Sequence, residues 1–467
     1  MRRIRTRRVT ARRLPAVAVI LSGTLIGQGT VIAVSPLLTR AYGPSDFGAL
    51  AVITALCSIL GAFATTGTDR ALMVAPTDRA VRHLVLFGLM TSAVVAGAVG
   101  AAAWSFRDAL AAGFDAPSLA ELWWLFPLTT VAISAFRIVS ATVARRQRYT
   151  DLATRNAVQG LTQTAWNLLA APLGPVGLLA GLSVGRLAGV LGSLPGSRRR
   201  MLEASASASA SASASASASA SASASASAPA SVSVSRSDRM AATLGAHRRF
   251  LLVTPWSALL NVLGQQGPSV LIALALGSTS AGYVALTMRV LGTPVGMLAD
   301  AVAQWSGGVF GRSVRSGTPV DRLLRRIVLR LAVAGAAGTL LVLVFAPTAF
   351  SVVFGSQWTL SGTYAQVLVP AFAVQVVASP VTQLLSLLGR QLTQLWWDGG
   401  RLVLTSGSVL VTTAAGASPG VTVAALSASM VVAYAVVLVL VRRAVRAHRI
   451  VATSTVLAPP EPALPVR

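Results

Sequence analysis

The chain contains no lysine. All 39 of its basic residues are arginine, set against only 13 acids, for a net charge of +26. Alanine and valine are abundant, and the exclusive use of arginine reads as part of that compositional bias. Cysteine is nearly absent: Cys57 stands alone inside an apolar run, which excludes a disulfide within the chain. Histidine occurs three times, at positions 83, 247 and 448, too far apart in sequence to suggest a metal cluster, and no phosphate-binding P-loop is present. No cofactor and no catalytic residues are expected. Charge of any sign is scarce, at 11% of 467 residues, while 54% are hydrophobic. A mean hydropathy of +0.70 is too apolar for a water-soluble domain and places the chain among polytopic membrane proteins.

Twelve apolar segments can be drawn, each near the ~20 residues a bilayer requires. They run at 16–36, 47–66, 84–104, 122–143, 157–173, 176–194, 251–276, 281–306, 327–346, 363–387, 394–414 and 421–441. The fifth and sixth are split only by "LGPVG", a hairpin signal. With the N-terminus inside, the outer hairpins carry only Arg40 and Arg107. Five arginines fall within segments, which leaves 32 on the inner side. The excess is the positive-inside pattern, so the net charge reports topology and argues against a nucleic-acid partner. Both termini are expected in the cytoplasm, the first segment is expected to be an uncleaved anchor, and the cell membrane of a bacterium is the expected location.

Between the sixth and seventh segments lies Ser205–Ala228, twelve Ser-Ala pairs. It has no bulky side chains to bury, so it is expected to be a flexible linker. The expected organisation is therefore a basic cytoplasmic N-terminus at 1–15, a first lobe at 16–194, a linker at 195–249, a second lobe at 250–441 and a cytoplasmic tail at 442–467. The two lobes look duplicated. "LIGQG" at 25–29 parallels "VLGQQ" at 262–266, and "GPSDFGALAV" at 43–52 parallels "GSTSAGYVAL" at 277–286. Six spans per copy make this a parallel repeat, an arrangement whose substrate sites lie near the bilayer midplane. The fold class is all-α, with about 12 transmembrane helices in two pseudo-symmetric six-helix lobes around a central cavity.

Polar residues at helical spacing point to that cavity. Asn156, Gln159, Gln163 and Asn167 lie within about 80° of one another on a helix. Gln28 belongs to a second stripe, and Asn261 and Gln265 are one turn apart. Any one stripe fits interhelical hydrogen bonding as well as a hydrated interior. Stripes in both halves favour the interior. Arg186, amid "GLSVGRLAGVLG", is the sharpest case, because a charge mid-segment costs about 2.5–3.5 kcal/mol on insertion scales. With Arg137 and Arg289 it makes a candidate surface for an anion, since the guanidinium suits phosphate and carboxylate. Asp398 and Arg401, at i,i+3, are a candidate structural pair. Asp300 is the freer carboxylate and the candidate for ion coupling.

Four stretches carry a resemblance to a family. These are "VSPLLTRAYGPSDFGALAVI" at 34–53, "RRQRYTDLATRNAVQ" at 145–159, "PSVLIALALGSTSAGYVALTMRVLGTPVGML" at 268–298 and "FGSQWTLSGTYAQVLVPAFAVQVVASPVTQLLSLLGR" at 354–390. In this order they resemble the Wzx-like polysaccharide (O-antigen) flippases of the multidrug/oligosaccharidyl-lipid/polysaccharide exporter superfamily. The resemblance spans nearly all of the chain outside the tails and the Ser-Ala run. It implies two six-helix lobes and translocation of an undecaprenyl-diphosphate-linked oligosaccharide, with a polysaccharide polymerase and glycosyltransferases as functional partners. One departure stands out: where the family tends to show an Arg-Tyr-Glu-like run after helix two, this chain has "GTDRALMVAP" at 67–76. Two other readings stay open, a cation-coupled multidrug exporter of the same superfamily and a membrane polysaccharide polymerase. The first would require an acid-rich cavity, and the second a large loop with catalytic carboxylates.

Overall fold

A computed structural model describes residues 13–146, 148–193, 243–245, 248–299, 302, 321–388 and 390–457. The Ser-Ala run and Asp300 lie outside the described residues.

The described residues form helices joined by turns, with no strand among them. In chain order the principal helices are α1 (Arg13–Ala33), α2 (Ser35–Ala41), α3 (Pro44–Ala64), α4 (Thr68–Val74), α5 (Asp78–Ser105), α6 (Leu125–Arg145), α7 (Tyr149–Leu169) and α8 (Pro175–Ser193). The second half continues with α9 (Arg248–Thr287), α10 (Asp321–Phe354), α11 (Thr359–Leu387), α12 (Gln391–Ala414) and α13 (Pro419–Leu457). Among the described residues eight helices are long and apolar enough to cross a membrane. One of them, Ala258–Ala299, holds two expected spans, broken at Gly277, whose φ of 79° and ψ of 167° only glycine adopts readily. With α1, α7 and α12, helices of 21, 21 and 24 residues, the described residues give an all-α protein with twelve helical segments long enough to cross a membrane.

Local chemistry sets the boundaries. Thr77 caps α5, its Oγ1 accepting from the Ala80 N–H at 3.2 Å, and Asp78 sits favourably in the first turn. At "LGPVG" a short 3-10 turn, Ala171–Leu173, ends on Gly174 at φ 65°, and Pro175 opens α8. Several helices outrun their apolar cores. α7 begins at Tyr149, not 157, because the polar Tyr-Thr-Asp turn continues the helix before hydropathy rises. α10 starts at Asp321 and α13 reaches Leu457 for the same reason.

Only 11% of the apolar span of α10 is buried, and Leu340, Leu341 and Phe345 are exposed along it. Exposed apolar surface of that extent belongs against lipid.

The chain divides into two compact units. The first comprises residues 1–34, 56–107 and 119–259; the second comprises 35–55, 108–118 and 260–467. In the first, α1 lies against α7 with backbone contact: a Cβ on Gly27 would collide with the Asn156 carbonyl oxygen. In the second, the two similar stretches at 43–52 and 277–286 meet. A Cβ on Gly48 would collide with the Ser278 carbonyl oxygen, and one on Gly282 with that of Pro44. Beside this contact the fully buried Trp358 packs edge-on to Phe47 and donates its indole N–H to the Thr39 carbonyl at 3.0 Å.

Candidate functional site

The first unit concentrates cations around one aromatic ring. Phe136 and Arg137 are neighbours on α6, Arg155 lies in the second turn of α7, and Arg186 sits midway along α8. The Arg155 guanidinium carbon is 4.1 Å from the centre of the Phe136 ring, and that of Arg186 is 5.5 Å from it. Cation–π attraction offsets part of the cost of bringing such charges out of water.

Neighbouring polar groups hold the guanidinium groups in place. Arg155 donates from Nη1 to the Ser140 hydroxyl and from Nη2 to Asn156 Oδ1 at 2.8 Å. Asn156 in turn donates to Thr24 Oγ1 on α1 at 3.1 Å. Arg137 pairs with Asp69 at 2.7 Å. Among the described residues Asp69 is the carboxylate of this cluster, and no ion pair is formed by Arg155 or Arg186. The Nε atoms of all three arginines are buried without a hydrogen-bond partner. Three cations with one counter-charge and unused donors form a surface that favours an anion.

The glycines of α8 explain how Arg186 gets there. Gly181, Gly185 and Gly189 face α7. A Cβ on Gly181 would collide with the Asn167 side-chain amide, one on Gly185 would meet Gln163 Cβ at 2.6 Å, and one on Gly189 would meet the Arg155 carbonyl oxygen at 3.2 Å. Close approach of the two helices brings Arg186 beside Phe136. The same contact takes up part of the polar stripe. Asn167 is buried there, its amide placed to donate to the Gln163 and Gly177 carbonyls at 3.2 and 3.1 Å. Gln159 and Gln163 are partly buried along it, and Gln28 on α1 is exposed.

The remaining sequence candidates lie in the second unit. Arg289 is partly buried on a π-helical turn, Met288–Gly292. Asn261 and Gln265 are exposed and hydrogen-bonded to each other at 3.2 Å. Asp398 faces Arg401 at 3.7 Å, and the Arg401 guanidinium lies 5.1 Å from the Trp397 ring centre.

Sequence reading missed two members of the cluster. Arg155 falls outside an apolar segment drawn from 157, although its position just before the Asn156 stripe is the clue. Asp69 reads as part of a polar loop. In the structure Thr66 and Gly67 take φ of 46° and 72°, the helix breaks, and α4 carries Asp69 back against α6.

No curated protein matches the sequence. Among solved structures, the chain is similar to a multidrug resistance MATE family transporter of the MOP superfamily in an inward-facing conformation, with TM-score 0.61, 15% identity, and 93% of this chain and 99% of that one covered. It is also similar to the lipid II flippase MurJ in an inward closed conformation, with TM-score 0.66, 10% identity and coverage of 95% and 92%. A third match is a MOP superfamily transporter from Pyrococcus furiosus, whose binding pocket is described as reversed in polarity, with TM-score 0.58, 13% identity and coverage of 93% and 96%. At such identities the likeness establishes the fold. The family model described as "Polysaccharide biosynthesis protein" matches residues 37–186 and 242–362, more than half of the chain, and its gap contains the Ser-Ala run. The chain therefore belongs to the polysaccharide biosynthesis protein family and has the fold of the MOP superfamily transporters.

Proposed function

We propose that this protein is a flippase that moves an undecaprenyl-diphosphate-linked oligosaccharide across a bacterial cytoplasmic membrane for surface polysaccharide synthesis. The observation that carries the reading is the cluster of Arg137, Arg155 and Arg186 around Phe136, with Asp69 as its counter-charge. A diphosphate brings two negative charges and several acceptor oxygens, and guanidinium donors meet such groups in bidentate fashion. The sugars would meet amides of the polar stripe, Gln159 and Gln163, and the lipid tail needs no polar partner. Arg289, in the second unit, is a separate candidate for an acidic sugar or phosphate. Transport proceeds by alternating access, as repeat-built transporters do.

The cation-coupled multidrug reading is weaker on the same observation. A positively charged drug would be repelled by three arginines and attracted by one carboxylate that Arg137 already engages.

The test is genetic and chemical. Cells lacking the protein should lose surface polysaccharide and accumulate the lipid-linked oligosaccharide at the inner leaflet, with unchanged sensitivity to cationic drugs. Normal surface polysaccharide together with heightened drug sensitivity would overturn the proposal.

A further inference from the structure

A groove of about 310 Å³ opens in the second unit between α10 and α13, well apart in sequence from the arginine cluster. Its lining follows helical periodicity. Leu324, Arg325 and Val328 come from α10; Leu438, Val441, Arg442, Val445 and Arg446 form one stripe on α13; Val381 of α11 completes it. Leu324, Val381, Val441 and Val445 are buried core residues, so the floor is apolar and fixed by packing. Arg325, Arg442 and Arg446 are exposed, and among the described residues no carboxylate pairs with them.

The position of this groove decides what it suits. It lies where α10 begins and α13 runs out of its apolar stretch, at helix ends rich in arginine. Above the arginines both helices turn apolar, and Leu340, Leu341 and Phe345 of α10 are exposed. A ligand that fits must have a phosphate at one end and hydrocarbon at the other. Soluble phosphates satisfy only the arginines, and zwitterionic lipids bring a cation into a cationic rim. Basic pockets between transmembrane helices are a recognised mode of anionic lipid binding.

We infer that the groove lined by Arg325, Arg442, Arg446 and the α13 stripe is a binding site for an anionic phospholipid of the surrounding leaflet, distinct from the transported cargo. The headgroup phosphate sits among the three guanidinium groups. The first segments of the acyl chains lie along Val328, Leu438 and Val441.

Titration of the purified full-length protein with phosphatidylglycerol, phosphatidylcholine or glycerol phosphate, read by native mass spectrometry, tests this. Two equal-charge triple variants separate the groove from the general basic surface. Arg325→Gln/Arg442→Gln/Arg446→Gln removes the rim. Arg326→Gln/Arg330→Gln/Arg443→Gln removes exposed arginines that do not line the groove. The expected result is saturable binding of phosphatidylglycerol, weakened on the order of tenfold to a hundredfold in the first variant and little changed in the second. Phosphatidylcholine and glycerol phosphate should bind far less well. Equal weakening in both variants would reduce the effect to diffuse positive charge. Glycerol phosphate binding as tightly as the lipid would make this a soluble-phosphate site. Either result overturns the proposal, as does absence of saturable phosphatidylglycerol binding. If the triple rim variant does not fold, Arg442→Gln alone must weaken binding in the same direction.

Discussion

Arg186 is the residue on which the functional reading turns. It lies mid-helix, its Nε is buried and unpartnered, and among the described residues no carboxylate pairs with it. Arg186→Gln makes membrane insertion easier and leaves the glycine contact of α8 with α7 intact, so membrane abundance should hold. Export should fall on the order of tenfold or more, since charged hydrogen bonds are worth about 1.5–3 kcal/mol each. Arg186→Lys should keep part of the export, because it retains the charge and loses the fork. Quantifying the protein in membranes beside surface polysaccharide checks both, and an abundant Arg186→Gln protein with full export would refute the role. Asp69 makes the opposite prediction, a loss of stability. Its pair with Arg137 is partly exposed, at 16% and 32%, so Asp69→Asn should cost about 1–3 kcal/mol, below the range for fully buried pairs. The variant should melt a few degrees lower in detergent, and adding Arg137→Gln should restore part of the loss. An unchanged Tm would show that the pair contributes nothing to folding. Arg137 and Arg186 are legible in the sequence because each interrupts an apolar run. Arg155 and Asp69 are not, because their membership depends on where helices start and break, which hydropathy does not report.

Helix contacts position these side chains. Gly23 and Gly27, four residues apart on α1, bring its backbone onto α7, where a Cβ at either would collide with α7 backbone atoms. This is the small-residue spacing that lets transmembrane helices touch. Gly27→Val should push α7 away, cost about 1–3 kcal/mol by overpacking, and displace Asn156 and Arg155 with it. A Cβ on Gly29 would have no neighbour within 4 Å, so Gly29→Val is the matched control. Monodisperse yield and Tm of the two variants should differ clearly, and equal behaviour would contradict the contact. The α8 glycines are visible in the sequence as a stripe, yet the sequence does not say which helix they meet. Their partner proves to be the polar stripe of α7, and this is why Asn167, expected to point into a cavity, is found in a helix interface. Gly277 is a similar lesson. The turn chemistry of "LGSTSAG" separates two expected spans, but only the observed φ of 79° shows that a single residue makes the break.

For the whole molecule, twelve spans are legible because runs of apolar residues and the arginine count follow from bilayer physics alone. What escapes is the extent of the helices beyond the hydrocarbon region, where amphipathic ends such as those of α10 and α13 carry their arginines onward. The topology has a direct check. Cys57 is fully buried, so Ser217→Cys in the Ser-Ala run introduces the one reactive thiol expected on the chain. An impermeant maleimide should label it only after cells are opened, and labelling of intact cells would contradict a cytoplasmic run. The most direct test of the central claim is translocation by the purified protein in liposomes. Undecaprenyl-diphosphate oligosaccharide bearing a fluorophore on its sugar is placed in both leaflets, and a membrane-impermeant quencher is added outside. With the wild-type protein, quenching should proceed beyond the outer-leaflet fraction toward completion; with Arg186→Gln it should stop near that fraction. Quenching that stops at the outer leaflet in the presence of folded wild-type protein would contradict the account.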